Sequence, residues 1–161
     1  DDAAQVISAR DYAAQSAPPS GELAVLIDED GSAAVYGVAD RLAQHFRKVI
    51  IITSRPHIAR AVNHCSAIGV YRRLYSAGVE LRPARATAGF AQGLLRLLNP
   101  YSGQEETIDG VDLLVYATPR VAQDALAAQL TELAVHLIGD CRSPRNLLAA
   151  IQGGYAIGEA L

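Results

Sequence analysis

Residues 23–37 read LAVLIDEDGSAAVYG. The first five form an unbroken apolar run closed by Asp28, the pattern of a short strand buried on both faces. From Ser32 onward the apolar residues fall at Val35, Val38, Leu42 and Phe46, three or four apart, which is helical spacing. A strand, a short polar turn and a helix therefore follow one another. In an open α/β sheet such a turn is where ligands bind, because the helix N-terminus offers free N–H groups and the positive end of its dipole.

The pattern continues outward from this unit. Residues 49–52 (VIII) read as a second buried strand, residues 66–76 as a helix closed by Gly78 in a left-handed turn, and residues 79–81 as a third strand. Alternating β-α-β-α-β predicts a parallel sheet with right-handed crossovers. Three short segments follow at 87–90, 94–98 and 105–108, the last two joined by the turn-rich NPYSG of residues 99–103, and they read as an antiparallel meander. Residues 112–116 return to a buried strand. A turn at 118–120, a helix through 130, a short strand at 135–138 closed by Gly139-Asp140, and a helix from Pro144 to Leu161 complete the chain. Residues 1–22, rich in Ala, Ser and Gln and ending in PPSG, read as a linker. The predicted fold is α/β: a Rossmann-like three-layer domain with a parallel sheet and an antiparallel β-meander.

The composition agrees with this and excludes other classes. A chain of 161 residues that is 50% apolar suits one domain and is not intrinsically disordered. A net charge of −3 argues against nucleic acid as a partner. Cys65 and Cys141 stand far apart without a CxxC spacing, so neither a disulfide framework nor a zinc site is indicated, and a reduced, cytoplasmic setting is expected. No apolar run approaches the roughly 18 residues of a membrane span. The chain has no methionine, so Asp1 is not a translational start, and a piece of a longer polypeptide is expected.

Two places hold candidate site residues. The first is the turn with Asp28, Asp30 and Gly31. A dinucleotide fingerprint needs GxGxxG, whereas this turn has three carboxylates where a diphosphate would lie. One carboxylate about 6 Å from a phosphate charge costs on the order of 2–3 kcal/mol at an effective dielectric of about 20. The acidic residue that would hold a ribose about 20 residues on is also missing, since the second strand ends in Thr53-Ser54-Arg55. Arg55 suits a 2′-phosphate, but its pyrophosphate cradle is absent. The turn is instead expected to fill its own anion site, with Asp30 capping the helix and Asp28 satisfying N–H groups. A metal-bound acidic pocket of the receiver-domain kind fails, because the third strand ends in Arg82-Pro83 and Lys48 precedes the second strand. The four histidines show no ligand spacing, no GxSxG elbow exists, and neither catalytic nor metal-ligating residues are nominated.

The second place is Gly139-Asp140 with the helix after it. A carboxylate beside a helix N-terminus suits a ribityl hydroxyl and the electron-rich edge of a flavin; it equally suits a cap, with Gly153, Gly154 and Gly158 permitting close helix packing.

The string VLIDEDGSAAVYGVADRLAQHF (residues 25–46) resembles the acidic version of the second nucleotide-binding domain in trimethylamine dehydrogenase and its relatives, NADH:flavin oxidoreductases related also to 2,4-dienoyl-CoA reductase. YRRLYSAGVEL (71–81), PYSGQEETIDGVDLLVYATPR (100–120) and VHLIGDCRSPRNLLAAIQGGYAIGEAL (135–161) are similar to later segments of that family in the same order. The resemblance implies a parent with a (β/α)8 barrel carrying FMN and a 4Fe-4S cluster, then a FAD- or ADP-binding domain with an NAD-like domain inserted in it. It implies that residues 23–134 are a degenerate NAD-like Rossmann domain and residues 135–161 a segment returning to the FAD-like domain, with Gly139 and Asp140 at its cofactor-facing position. The expected function is that of a non-catalytic C-terminal piece of an FMN-dependent oxidoreductase. No cofactor is expected in the piece, and it is not expected to be active alone. Its expected partners are the remaining domains of the parent, with room for a homo-oligomer and none for a membrane. The competing reading is a stand-alone nucleotide- or cation-binding interface module without redox work.

Overall fold

The computed structural model describes residues 4–161. Five parallel strands form one sheet: β1 (Gln5–Ser8), β2 (Gly21–Asp28), β3 (Phe46–Ile52), β4 (Glu80–Arg82) and β8 (Leu113–Ala117), in the order β1-β8-β2-β3-β4. Between them, β5 (Ala86–Ala91), β6 (Leu94–Leu98) and β7 (Glu105–Ile108) make a separate antiparallel sheet in sequence order. The helices are α1 (Ala9–Ala14), α2 (Ala33–His45), α3 (His64–Ser76) and α4 (Leu147–Ala160). The α/β fold, its parallel sheet and its meander are as the sequence predicts.

Alternation along the strands explains the layers. Successive side chains of a strand point to opposite faces. Ala24 and Leu26, Val49 and Ile51, and Leu113 and Val115 pack with Val35, Tyr36, Leu42 and Leu74 of α2 and α3 on one face. Val25, Ile50, Ile52 and Leu114 pack with Leu95, Leu97 and Ile108 of the meander on the other. Each central strand is covered twice, which is why its sequence is a continuous apolar run.

Local chemistry sets the ends of the elements. Asn63 caps α3 by accepting from the Ser66 N–H at 2.9 Å. Gly78, at φ +71°, ends the same helix, and the Val79 N–H reaches back to the Leu74 carbonyl at 3.0 Å.

The described residues divide into two compact units, 4–118 and 119–161, whereas the sequence reading puts a division after residue 134. The stretch read as a linker, residues 1–22, differs too. Residues 1–3 lie outside the described residues, and 5–14 hold β1 and α1. Ser8 accepts from the Asp11 N–H at 3.1 Å and donates to the Asp11 carboxylate at 2.7 Å, capping α1. The Arg41 guanidinium donates to the Ala13 and Gln15 carbonyls and lies 5.7 Å from the centre of the buried Tyr12 ring, which holds α1 to α2.

In the second unit the helix expected through residue 130 is a single 3-10 turn, Ala127–Gln129, and residues 135–138 form no strand. No residue of this unit is buried. A short helix gains most of its stability by burying one face, and a strand needs a neighbour to pair with. The terminal helix begins at Leu147, not Pro144, with Asn146 accepting from the Ala149 N–H at 2.9 Å.

Candidate functional site

Strands β8, β2 and β3 end side by side, and β2 and β8 lie together although far apart in sequence. This is the switch point where an open sheet presents its ligand crevice. Here the chain bonds to itself. Asp28, only 2% exposed, accepts from the Gly31 N–H at 2.6 Å and from the Tyr36 hydroxyl at 2.5 Å. Burial pushes its carboxyl above the usual range; the bonds from Tyr36 and Gly31 oppose this, and the neighbouring Asp30 and Glu29 charges add to it. Tyr36 is pushed well above the ordinary tyrosine range by burial and by Asp28.

Glu29 closes the adjacent strand end. Its carboxylate accepts from the Ser54 N–H at 2.8 Å and the Ser54 hydroxyl at 2.7 Å, and its own N–H donates to the Ala117 carbonyl at 2.9 Å. One residue thus ties the ends of β2, β3 and β8 together. Gly31, at φ +72°, adopts the left-handed conformation that favours glycine.

Asp28 satisfies a turn N–H, as the sequence reading has it. Asp30 does not cap α2: the N-cap is Ser32, whose side chain makes no capping bond. The turn bends at Gly31, one residue after Asp30, so the extended residue that opens the helix falls two positions later. Tyr36 and the Glu29–Ser54 pair are the partners that sequence reasoning missed. The spacing Asp28-x-Asp30-x-x-Ala33 would have exposed the geometry, since each position at which the dinucleotide fingerprint has glycine carries a side chain.

The segment between β3 and α3 lies against this turn. Ile58 and Ala59 are buried, and Ala59 has φ +61°, a conformation costing a non-glycine residue on the order of 1–3 kcal/mol. The space bounded by Asp28, Glu29, Gly31, Thr53 and residues 57–60 leaves no room for a water molecule.

The second unit is arranged differently. Gly139, at φ +63°, opens a 3-10 turn, Gly139–Cys141, and its carbonyl accepts from the Arg142 and Ser143 N–H groups. The Asp140 carboxylate accepts from the Arg145 N–H at 3.3 Å and lies 3.5 Å from the Arg120 guanidinium, which also donates to the Arg145 carbonyl at 2.8 Å. Asp140 therefore braces the loop before α4, and the N-cap of that helix is Asn146. A Cβ on Gly153 or Gly154 would meet Ile138 at 3.9 or 3.8 Å, ordinary contact distance, so a methyl group fits there. Among the described residues no group of three or more metal-ligating side chains lies together, and no helix is long and apolar enough to cross a membrane.

No protein-family model and no curated protein sequence matches the chain. Its fold matches solved structures of oxidoreductases. The 6-hydroxypseudooxynicotine amine oxidase of Pseudomonas geniculata N1 is 25% identical, with a TM-score of 0.82 over 95% of this chain and 24% of its own. Histamine dehydrogenase of Rhizobium sp. 4-9 is 24% identical, with a TM-score of 0.85 over 100% of this chain and 26% of its own. 2-Naphthoyl-CoA reductase, solved in complex with 2-naphthoyl-CoA, is 25% identical, with a TM-score of 0.70 over 86% of this chain and 21% of its own. The chain spans about a quarter of the length of these proteins. In sequence pattern and in fold, the chain is similar to the C-terminal NAD-like, Rossmann-type domain of the trimethylamine dehydrogenase and 2,4-dienoyl-CoA reductase-like NADH:flavin oxidoreductases.

Proposed function

We propose that the chain is the NAD-like module of an FMN-dependent NADH:flavin oxidoreductase in which the nucleotide turn no longer binds a nucleotide. Its work in the parent is to pack against the cofactor domain and to shape the access of electrons or substrate. The observation that carries this is the Asp28 carboxylate, buried and accepting from Gly31 and Tyr36. A dinucleotide needs that N–H face for its own phosphates, and a buried carboxylate beside a diphosphate adds repulsion. The residues of the turn therefore do not fit NAD, and no hydride step is assigned to it.

The Gly139-Asp140 loop fits a flavin or ADP only as half of a pocket. Asp140 would meet a ribityl or ribose hydroxyl, while the facing half would come from the parent's FAD-like domain. FMN and a 4Fe-4S cluster would belong to the parent's barrel and supply its redox chemistry. Calorimetry with NADH and NADPH tests the reading. No saturable heat is expected from either, and micromolar affinity for one of them would refute it. Purified chain is also expected to be colourless; flavin absorbance at one per chain would overturn the half-pocket assignment.

A further inference from the structure

We propose that residues 55–62, the connection from β3 to α3, are an autoinhibitory strap lying where the phosphates of a dinucleotide would sit over the β2–α2 turn. The proposal rests on the reading of that turn as a former nucleotide site and adds a second, separate closure to it.

The strap is fastened to the turn by its backbone. The Ala61 N–H donates to the Gly31 carbonyl at 3.0 Å, and the Ala59 N–H donates to the Tyr36 hydroxyl. That hydroxyl has one proton, which it gives to Asp28, and so it meets Ala59 as an acceptor. The acid and the strap are latched through one oxygen. A Cβ built on Gly31 would come within 3.2 Å of the Arg60 Cβ and 3.3 Å of the Arg60 nitrogen, so the strap presses on the turn with only a glycine's thickness between them.

The far side is anchored independently. The Tyr71 hydroxyl donates to the Ile58 carbonyl at 3.4 Å, and the Ala84 N–H donates to the Arg55 carbonyl at 2.8 Å. Loops usually run over the surface, yet Ile58 and Ala59 are buried here, and Ala59 is held in a left-handed conformation. Such a conformation persists only where its surroundings over-determine it, and the surroundings are the turn itself. A dinucleotide and the strap would claim the same helix-terminal face, so each excludes the other.

Amide exchange on the full chain is the first test. The Ala59 and Ala61 amides should exchange at least about a hundredfold slower than in an unstructured peptide, and rates near the unstructured value would overturn the proposal. Calorimetry with NADH then compares D28G/D30G with the same variant in which residues 56–61 are replaced by Gly-Ser-Gly. The expected result is saturable binding by the second variant that is at least roughly tenfold tighter than any binding by the first. Equal binding by both overturns the strap and leaves the nucleotide-turn reading standing. Binding by neither, with the Val25 and Ile51 amides still protected, overturns both. If the replaced variant does not fold, Tyr36→Phe decides: Ala59 and Ala61 should be accelerated at least roughly tenfold more than Val25 and Ile51, and an acceleration no greater than theirs overturns the strap.

Discussion

Residues 4–118 and residues 119–161 contain similar kinds of apolar side chain and use them in opposite ways. In the first unit Leu26, Ile51 and Val115 vanish between a helical layer and a meander, and even the acid at the strand end is enclosed. In the second, Leu147, Leu148, Ile151 and Tyr155 of α4 stand exposed, and the acid Asp140 is open to solvent. Apolar content alone does not make a core. What differs is whether the local elements can be layered against one another, since a sheet covered on both faces closes around its side chains and one helix with short turns cannot.

The sharpest way to break this comparison is by truncation in each unit. Ile51→Ala, at a fully buried position, should cost about 2–5 kcal/mol in urea unfolding, whereas Leu148→Ala, at a position 63% exposed, should stay within about 0.5 kcal/mol. A comparable loss from both would show that α4 is packed as tightly as the sheet.

The two acids come next. Tyr36→Phe leaves one of the two Asp28 carboxylate oxygens without its donor, Gly31 still serving the other, and leaves the Ala59 N–H without an acceptor, at about 1–3 kcal/mol for each group left unsatisfied. Asp140→Asn, at a side chain 59% exposed, should cost under about 1 kcal/mol by the same unfolding measurement.

The same contrast extends to pH. Burial raises Asp28 above 3.8 in the folded chain, so the folded state binds this proton more tightly than the unfolded one. Its contribution favours folding most below the unfolded value and is lost as pH rises from there through the raised folded value. Unfolding midpoints across the acid range should show that loss in the native chain and a shallower dependence in Asp28→Asn.

Two glycines carry the contrast to the backbone. Gly78→Ala meets the penalty of a positive φ, about 1–2 kcal/mol against folding. Gly158→Ala has no neighbour within 4 Å and should instead favour α4 by about 0.5–1 kcal/mol, read as slower amide exchange there.

Much of the first unit is legible from residues alone. The run at 23–27 announces a doubly covered strand, the spacing from Val35 to Phe46 announces α2, and Gly78 marks the end of α3. The missed pieces were those whose signal is short. Gln5–Ser8 is four residues long, and Ser8-x-x-Asp11 is a capping box hidden in an Ala-rich stretch that composition assigns to a linker. In the site, Asp28 as a self-satisfying acid could be argued from charge, but its partner Tyr36 sits eight residues away and the Ala59 contact twenty-three beyond that, through a loop without a motif.

From residue 21 to residue 117 the sequence by itself determined the α/β order of elements, the meander, and the loss of a dinucleotide fingerprint, because period, apolar run length and turn chemistry are local properties that short stretches carry. Only the tertiary structure decided that residues 5–8 join the sheet, that Ser32 and not Asp30 opens α2, that Glu29 binds Ser54, and that residues 55–62 lie over the turn. Those are contacts between distant segments, and their energy comes from burial and from hydrogen bonds that exist only once the layers have closed.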